Sequence, residues 1–290
     1  MELIDGKEIS LKIRGEIKQQ TAILAEKGIR PCLAVVLAGE DPASLSYVKA
    51  KGKALADIGM EGRDIRLPAD VSEAELLAVI SDLNDDNNVH GILIQLPLPR
   101  HINEYRVLCA VDPAKDVDCF NPVSVGNIIL GRPGFLPCTP HGILVLLREM
   151  KIPVSGAYAV IVGRSNLVGR PLLNLLSRRD MNATVTMCHS ATTDLARHTL
   201  KADILIVAAG KPLLIKPEMV KAGAAVIDVG VNRVPDSSKK KGYRLCGDVD
   251  PAAAEKAGWY TPVPGGVGPM TITMLLHNVL QAASAEEELQ

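Results

Sequence analysis

A lysine on the core-facing stripe of a helix is costly to place, because burying an ammonium ion forfeits its hydration. The stretch Tyr47-Val48-Lys49-Ala50-Lys51-Gly52-Lys53-Ala54-Leu55 puts one there. At helical spacing Tyr47, Val48, Ala50, Ala54, Leu55 and Ile58 form an apolar arc. Lys51 falls inside it, one turn from Tyr47, whereas Lys49, Lys53 and Asp57 lie outside it or at its polar edge. Two accounts are open. Lys51 can snorkel its ammonium to the rim, or it can be a desolvated amine of lowered pKa, able to serve as a base. Gln95 closes the apolar run Gly91–Leu96, and Asp118 follows another short stretch. Ligands of open α/β sheets gather at the carboxyl ends of strands, so these two polar groups and Lys51 can converge there. Taken singly, a capping amide or an Asx-turn acid explains each equally well.

The second chemical stretch is Ala159–Pro171. A short β-branched run ends at Gly163, and Leu167, Val168, Leu172, Leu173, Leu175 and Leu176 then recur at helical spacing. Strand, glycine turn and helix in that order offer a phosphate the free N–H groups and dipole of a helix start. The match to G-x-G-x-x-G is incomplete: Ser165 stands where the second glycine belongs, and Gly169 comes one residue late. An ordinary βα turn remains open on the motif alone. The next strand ends Met187-Cys188-His189-Ser190, with no acid before Asp194 to take a ribose 2′-hydroxyl. Arg164, His189 and Ser190 suit a 2′-phosphate instead, so NADP is expected; the alternative is that His189 and Ser190 are plain loop residues.

These groups need a scaffold, and the apolar pattern supplies one. Helices are expected over 8–27, from a Ser44 cap to Ile58, from Ser72 with Glu75 at capping-box spacing, over 102–110, Pro140–Glu149, Leu195–Leu200 and 270–285. Between them, Cys32–Leu37, Asp64–Leu67, Gly91–Leu96, Ala159–Val162, Thr184–Met187, Ile204–Ala208 and Ala225–Val229 read as strands. Alternating β and α predicts an α/β fold with mainly parallel sheets.

A chain of 290 residues, 47% apolar, is long enough for two domains. Its net charge of −1 and 3% aromatics argue against nucleic acid or membrane surfaces as partners. No stretch is long and apolar enough to span a bilayer, and Met1–Gly6 does not read as a signal peptide. Six cysteines without a Cys-x-x-Cys pair read as reduced thiols of a cytoplasmic protein, with no metal site. The Ser-Ser-Lys-Lys-Lys run at 237–241 reads as a solvated hairpin or loop.

Together these stretches resemble the bifunctional methylenetetrahydrofolate dehydrogenase/methenyltetrahydrofolate cyclohydrolase family, nearly end to end. The resemblance rests on Asp41-Pro42-Ala43-Ser44 with Tyr47-Val48 and Lys51, and on Gly91–Pro99 and Lys115-Asp116-Val117-Asp118. Pro137-Cys138-Thr139-Pro140, Val162-Gly163-Arg164-Ser165, Ile227–Asn232 and Thr261–Thr271 complete it. It implies a folate-binding catalytic domain over 1–139 plus a returning helix at 270–290, a Rossmann-like NADP-binding domain over 140–269, a cleft between them, and a homodimer. It also implies roles: Lys51 as the cyclohydrolase residue, Gln95 tuning it, Tyr47 positioning the folate and Asp118 binding its pterin. Pro262 and Gly265 would line the folate side, and Gly163, Arg164, Ser165, Ser190 and Val231 would touch NADP. The chain departs from the family pattern at Cys119, where glycine is common, and at Asn121 and Ser124. A monofunctional dehydrogenase and a non-enzymatic NADP-binding sensor are the rival functions.

Overall fold

A computed structural model describes residues 1–239 and 242–287. A short strand β1 (Glu2–Leu3) precedes helix α1 (Gly6–Glu26). Strands and helices then alternate as β2 (Cys32–Ala38), α2 (Pro42–Ile58), β3 (Glu61–Leu67), α3 (Glu73–Asp85) and β4 (Gly91–Ile94). Helices α4 (Glu104–Ala110), α5 (Pro122–Leu130) and α6 (Cys138–Glu149) follow. A second alternation runs β5 (Tyr158–Val162), α7 (Gly169–Ser177), β6 (Thr184–Cys188), α8 (Leu195–Thr199), β7 (Ile204–Val207) and β8 (Ala225–Asp228). The hairpin β9 (Asn232–Pro235) and β10 (Tyr243–Cys246), strand β11 (Trp259–Tyr260) and helix α9 (Val267–Glu287) close the described chain.

The chain divides into two compact units. The first, Leu11–Cys138 with Ile272 onward, is built on a parallel sheet of order β3-β2-β4. Every residue of β2 is buried, as a central parallel strand covered on both faces requires. Its Cys32, Ala34, Val36 and Ala38 point to one face, against Leu76, Ile80 and Leu83 of α3 and Val107 of α4. The Ser72–Glu75 capping box that starts α3 forms in full.

The second unit, Met1–Ser10 with Thr139–Thr271, holds a six-stranded parallel sheet of order β1-β11-β8-β7-β5-β6. Residues of β5, β7 and β8 such as Val160, Leu205 and Val226 make its core with Ile215, Ala253 and Tyr260. The chain start belongs here: β1 pairs in parallel with β11, and Ile4 N donates to Tyr260 O at 2.8 Å.

Several boundaries differ from the sequence reading. Helix α2 begins at Pro42, capped by Asp41, whose Oδ2 accepts from Ser44 N at 2.8 Å; proline's fixed φ suits the first helical position, so the cap moves ahead of it. Strand β3 starts at Glu61 because all seven of its residues pair with β2. Helix α7 starts at Gly169, later than the leucine spacing suggests, and α9 starts earlier, at Val267. Of the 237–241 run, Ser237–Lys239 are exposed between β9 and β10, while Lys240 and Lys241, like 288–290 of the expected last helix, lie outside the described residues.

Candidate active site

In the three-stranded unit the polar groups gather around α2. Its buried ridge runs Ser44, Val48, Leu55 and Ile58, and Lys51 occupies the i+3 position between Val48 and Leu55, half-buried. The apolar arc is narrower than the sequence suggests: Tyr47 is 58% exposed and Ala50 is exposed as well. Their letters fit the arc, but their azimuth is at its edge. Lys51 Nζ donates to Gln95 Oε1 at 3.1 Å. Gln95 follows β4 directly, and its own Nε2 donates to Leu96 O at 2.9 Å, which turns the amide oxygen toward the lysine.

Asp118 sits close enough to feel the Lys51 charge, and Cys138 Sγ donates to its Oδ1 at 3.4 Å. Burial pushes the Asp118 carboxyl up; the Lys51 ammonium and the Cys138 thiol pull it back, and Asp116 adds to the rise. So Lys51, Gln95 and Asp118 do come together, with Tyr47 one turn before Lys51. The segment carrying Asp118 is held by Lys115, whose Nζ donates to the carbonyls of Leu83, Asn84 and Asp86 at 2.7–3.0 Å. That ammonium satisfies the carboxyl end of α3.

The three positions that depart from the family pattern form one wired loop. Buried Asp116 accepts from Phe120 N at 3.1 Å, Asn121 N at 2.8 Å and Ser124 Oγ at 2.6 Å. Asn121 caps α5 through Val123 N and donates to Val111 O. Cys119 adopts φ 65°, in the left-handed region, which explains a preference for glycine there. Its Sγ donates to Phe135 O at 3.1 Å.

In the six-stranded unit the turn after β5 is built by close backbone approach. Gly163 has φ 131°, and a Cβ there would collide with the Ala208 carbonyl; one at Gly169 would collide with the Gly163 carbonyl. The nine-residue helix α7 thus starts against the strand end, and no side chain caps it, since Val168 is its N-cap. Arg170 N already donates to Ser165 O at 3.1 Å and Pro171 has no N–H, so the Gly169 N–H beside the glycine cradle is the donor this helix start can turn to an anion such as a dinucleotide phosphate. Arg164, Ser165 and Ser190 are exposed, and Val231 is 56% exposed. Ser165 Oγ is used in the turn, accepting from Val168 N at 3.2 Å. His189 is used locally as well: its Nδ1 accepts from Ala191 N at 3.2 Å, and its N donates to Thr192 Oγ1. It shapes the loop that presents Ser190.

The same unit contains two buried carboxylates that the sequence reading passed over. Asp228 ends β8 and accepts from Gly230 N, Asp248 N and Val249 N at 2.9–3.0 Å. Asp248 accepts from Ala209 N and Gly210 N, after β7, and from Asn232 Nδ2 beside Val231. Burial raises the Asp228 carboxyl to about 6; its three backbone donors oppose the rise and the Asp248 charge adds to it. An acid closing the apolar run Ala225–Ile227 was the available signal for Asp228; Asp248 lies twenty residues on, outside any pattern. Lower down, Pro262 O accepts from Gly266 N and Gly265 O from Lys7 N, so the chain start braces the Pro262–Gly266 turn.

Two family models match the chain. Residues 4–118 match the catalytic domain of tetrahydrofolate dehydrogenase/cyclohydrolase, and 137–287 match its NAD(P)-binding domain. The chain is 54% identical over 283 residues to the bifunctional protein FolD of Geobacillus thermodenitrificans, covering 97% of each. A crystal structure of the bifunctional FolD dehydrogenase/cyclohydrolase from Campylobacter jejuni is similar at a TM-score of 0.94, 47% identity and 99% coverage of both chains. The Trypanosoma brucei methylenetetrahydrofolate dehydrogenase-cyclohydrolase, complexed with NADP cofactor and inhibitor, is similar at a TM-score of 0.92, with 40% identity and 98% coverage of both.

Proposed function

The chain belongs to the tetrahydrofolate dehydrogenase/cyclohydrolase family, and from that premise we propose which of its residues perform the two reactions. The enzyme oxidises 5,10-methylenetetrahydrofolate to the 5,10-methenyl cation and hydrolyses that to 10-formyltetrahydrofolate. The observation that carries the assignment is the convergence of Lys51, Gln95 and Asp118 in one unit.

Asp118 accepts hydrogen bonds from the pterin N–H groups, Tyr47 positions the ring system, and Pro262 and Gly265 line the folate. In the first reaction the chain contributes positioning. NADP, when bound, supplies the hydride acceptor. Gly163 and the start of α7 hold its phosphates, with Ser165 and Val231 alongside, and Arg164 and Ser190 take the 2′-phosphate that distinguishes it from NAD. In the second reaction the oxygen of water bonds to the methenyl carbon, the bond from that carbon to N5 breaks, and N5 takes a proton. Of the two protons that water loses, Lys51 accepts one and the other ends on N5, and Gln95 keeps the amine in place. Residues 11–138 with the last helix form the folate domain, and 139–271 with residues 1–10 the NADP domain. A cytoplasmic homodimer completes the proposal, on the family resemblance alone.

The test follows NADPH formation and methenyl absorbance separately, with methylenetetrahydrofolate and either NADP or NAD. NADPH formation without methenyl accumulation supports both activities. Accumulating methenyltetrahydrofolate would leave a monofunctional dehydrogenase, and no NADPH a sensor.

A further inference from the structure

The buried thiol of Cys138 has no part in the two reactions, yet it touches the residue assigned to the pterin. We propose that Cys138 is a positioning residue for substrate: its thiol donates to Asp118 and, with Asn278 fixing the chain on both flanks, aims that carboxylate at the folate. This rests on the assignment of Asp118 above.

The geometry selects the bond. Cys138 Sγ lies 3.4 Å from Asp118 Oδ1 and 3.6 Å from Val117 O, and a thiol has one proton to give. The Val117 carbonyl already accepts from Asn278 Nδ2 at 2.8 Å, and a charged acceptor outcompetes a neutral one. The proton therefore goes to Asp118. Asn278, fully buried on α9, donates also to Leu136 O at 2.9 Å. One amide thus fixes the residue before Asp118 and the stretch leading into Cys138. Burial, and next the Asp118 charge, push the Cys138 thiol well up, so it stays a donor. The charged and titratable groups facing Asp118 are Lys51 from α2, Cys138 from α6, and Asp116 and Cys119 from its own loop. Of these, Lys51 and Cys138 favour its ionised form.

The experiment compares Cys138→Ala, Cys138→Ser and Asp118→Asn with the wild type. In Cys138→Ala the KM for methylenetetrahydrofolate should rise about three- to tenfold, more than kcat falls, with the NADP Kd unmoved. The acidic limb of kcat/KM should move to higher pH, because Asp118 loses a bond that favours its charge. Cys138→Ser, which keeps a donor, should recover most of both changes. An unchanged KM with an unmoved limb in Cys138→Ala overturns the proposal, as does a Cys138→Ser enzyme equally impaired. Asp118→Asn separates the layers: full folate affinity there removes the Asp118 assignment and this proposal with it, whereas a loss there without one in Cys138→Ala removes this proposal alone. If Cys138→Ala fails to fold, infrared spectroscopy decides. The S–H stretching band that disappears in Cys138→Ser should move to higher frequency in Asp118→Asn, and an unshifted band overturns the bond.

Discussion

Lys51 Nζ and Gln95 Oε1 lie 3.1 Å apart, and the far side of the same amide is anchored on Leu96 O. The lysine therefore meets an oriented acceptor. Lys51→Met keeps length and apolar packing but removes the amine. It should abolish cyclohydrolase activity and leave measurable dehydrogenase activity, with methenyltetrahydrofolate accumulating, while Lys49→Met and Lys53→Met, at exposed positions, change little. Gln95→Glu would set a carboxylate against the amine and hold it protonated. Its cyclohydrolase activity should drop at neutral pH and recover as pH rises; a flat pH response would contradict the base role.

Arg164 is exposed beside the Gly163 turn. In the role proposed for it, its loss would remove a charge-assisted fork to a phosphate, worth about 1.5–3 kcal/mol, or roughly ten- to a hundredfold in affinity. Arg164→Ala should weaken NADP by that factor and NAD by much less, as read by titration of cofactor fluorescence. Ser190→Ala should act in the same direction, more weakly. Equal losses for both cofactors would place the 2′-phosphate elsewhere.

At Cys119 the left-handed backbone and the thiol bond to Phe135 O pull in opposite directions. Glycine would relieve about 1 kcal/mol of backbone cost and forfeit a weak hydrogen bond and some unfolded-state entropy. Cys119→Gly should stay within about 1 kcal/mol of wild type in urea unfolding. Cys119→Val, β-branched at the same φ, should lose about 2 kcal/mol.

The Asp228 carboxyl, raised from 3.8 to about 6, binds its proton more tightly folded than unfolded. Its contribution to stability is therefore full below pH ~4 and is lost as pH rises through ~6, a change on the order of 2–3 kcal/mol. Asp228→Asn cannot titrate, and its amide nitrogen would face a backbone N–H, so it carries a fixed penalty at every pH. Subtracting the unfolding free energies of the two proteins from pH 4 to 7 should show the wild-type advantage shrinking. A constant difference would mean that Asp228 ionises normally.

The strands are readable from the chain because parallel strands covered on both faces must be apolar, as Cys32–Leu37 and Ile204–Val207 are. Lys51 is readable for a related reason: a charge within a helical ridge breaks the pattern. Tyr47 misleads, because an aromatic at the edge of a stripe has the same letter as one at its centre. The polar wiring is not readable. Asp116 with Ser124, Asp228 with Asp248 and Cys138 with Asn278 are contacts between loops or distant elements, and no periodicity links their positions. Even the departures at Asn121 and Ser124, visible as unusual letters, reveal their purpose only through Asp116.

Strand β1 leaves the ribosome long before its partner. Glu2 pairs with Trp259, and synthesis at about 5–20 residues per second separates the two by roughly 13–50 s. During that interval the three-stranded sheet has all its strands, since β2, β3 and β4 are complete by Ile94. The six-stranded sheet, by contrast, must assemble outward and receive its oldest residues last. A two-residue edge strand is a poor template for pairing with other chains, so the short length of β1 makes so long a wait tolerable.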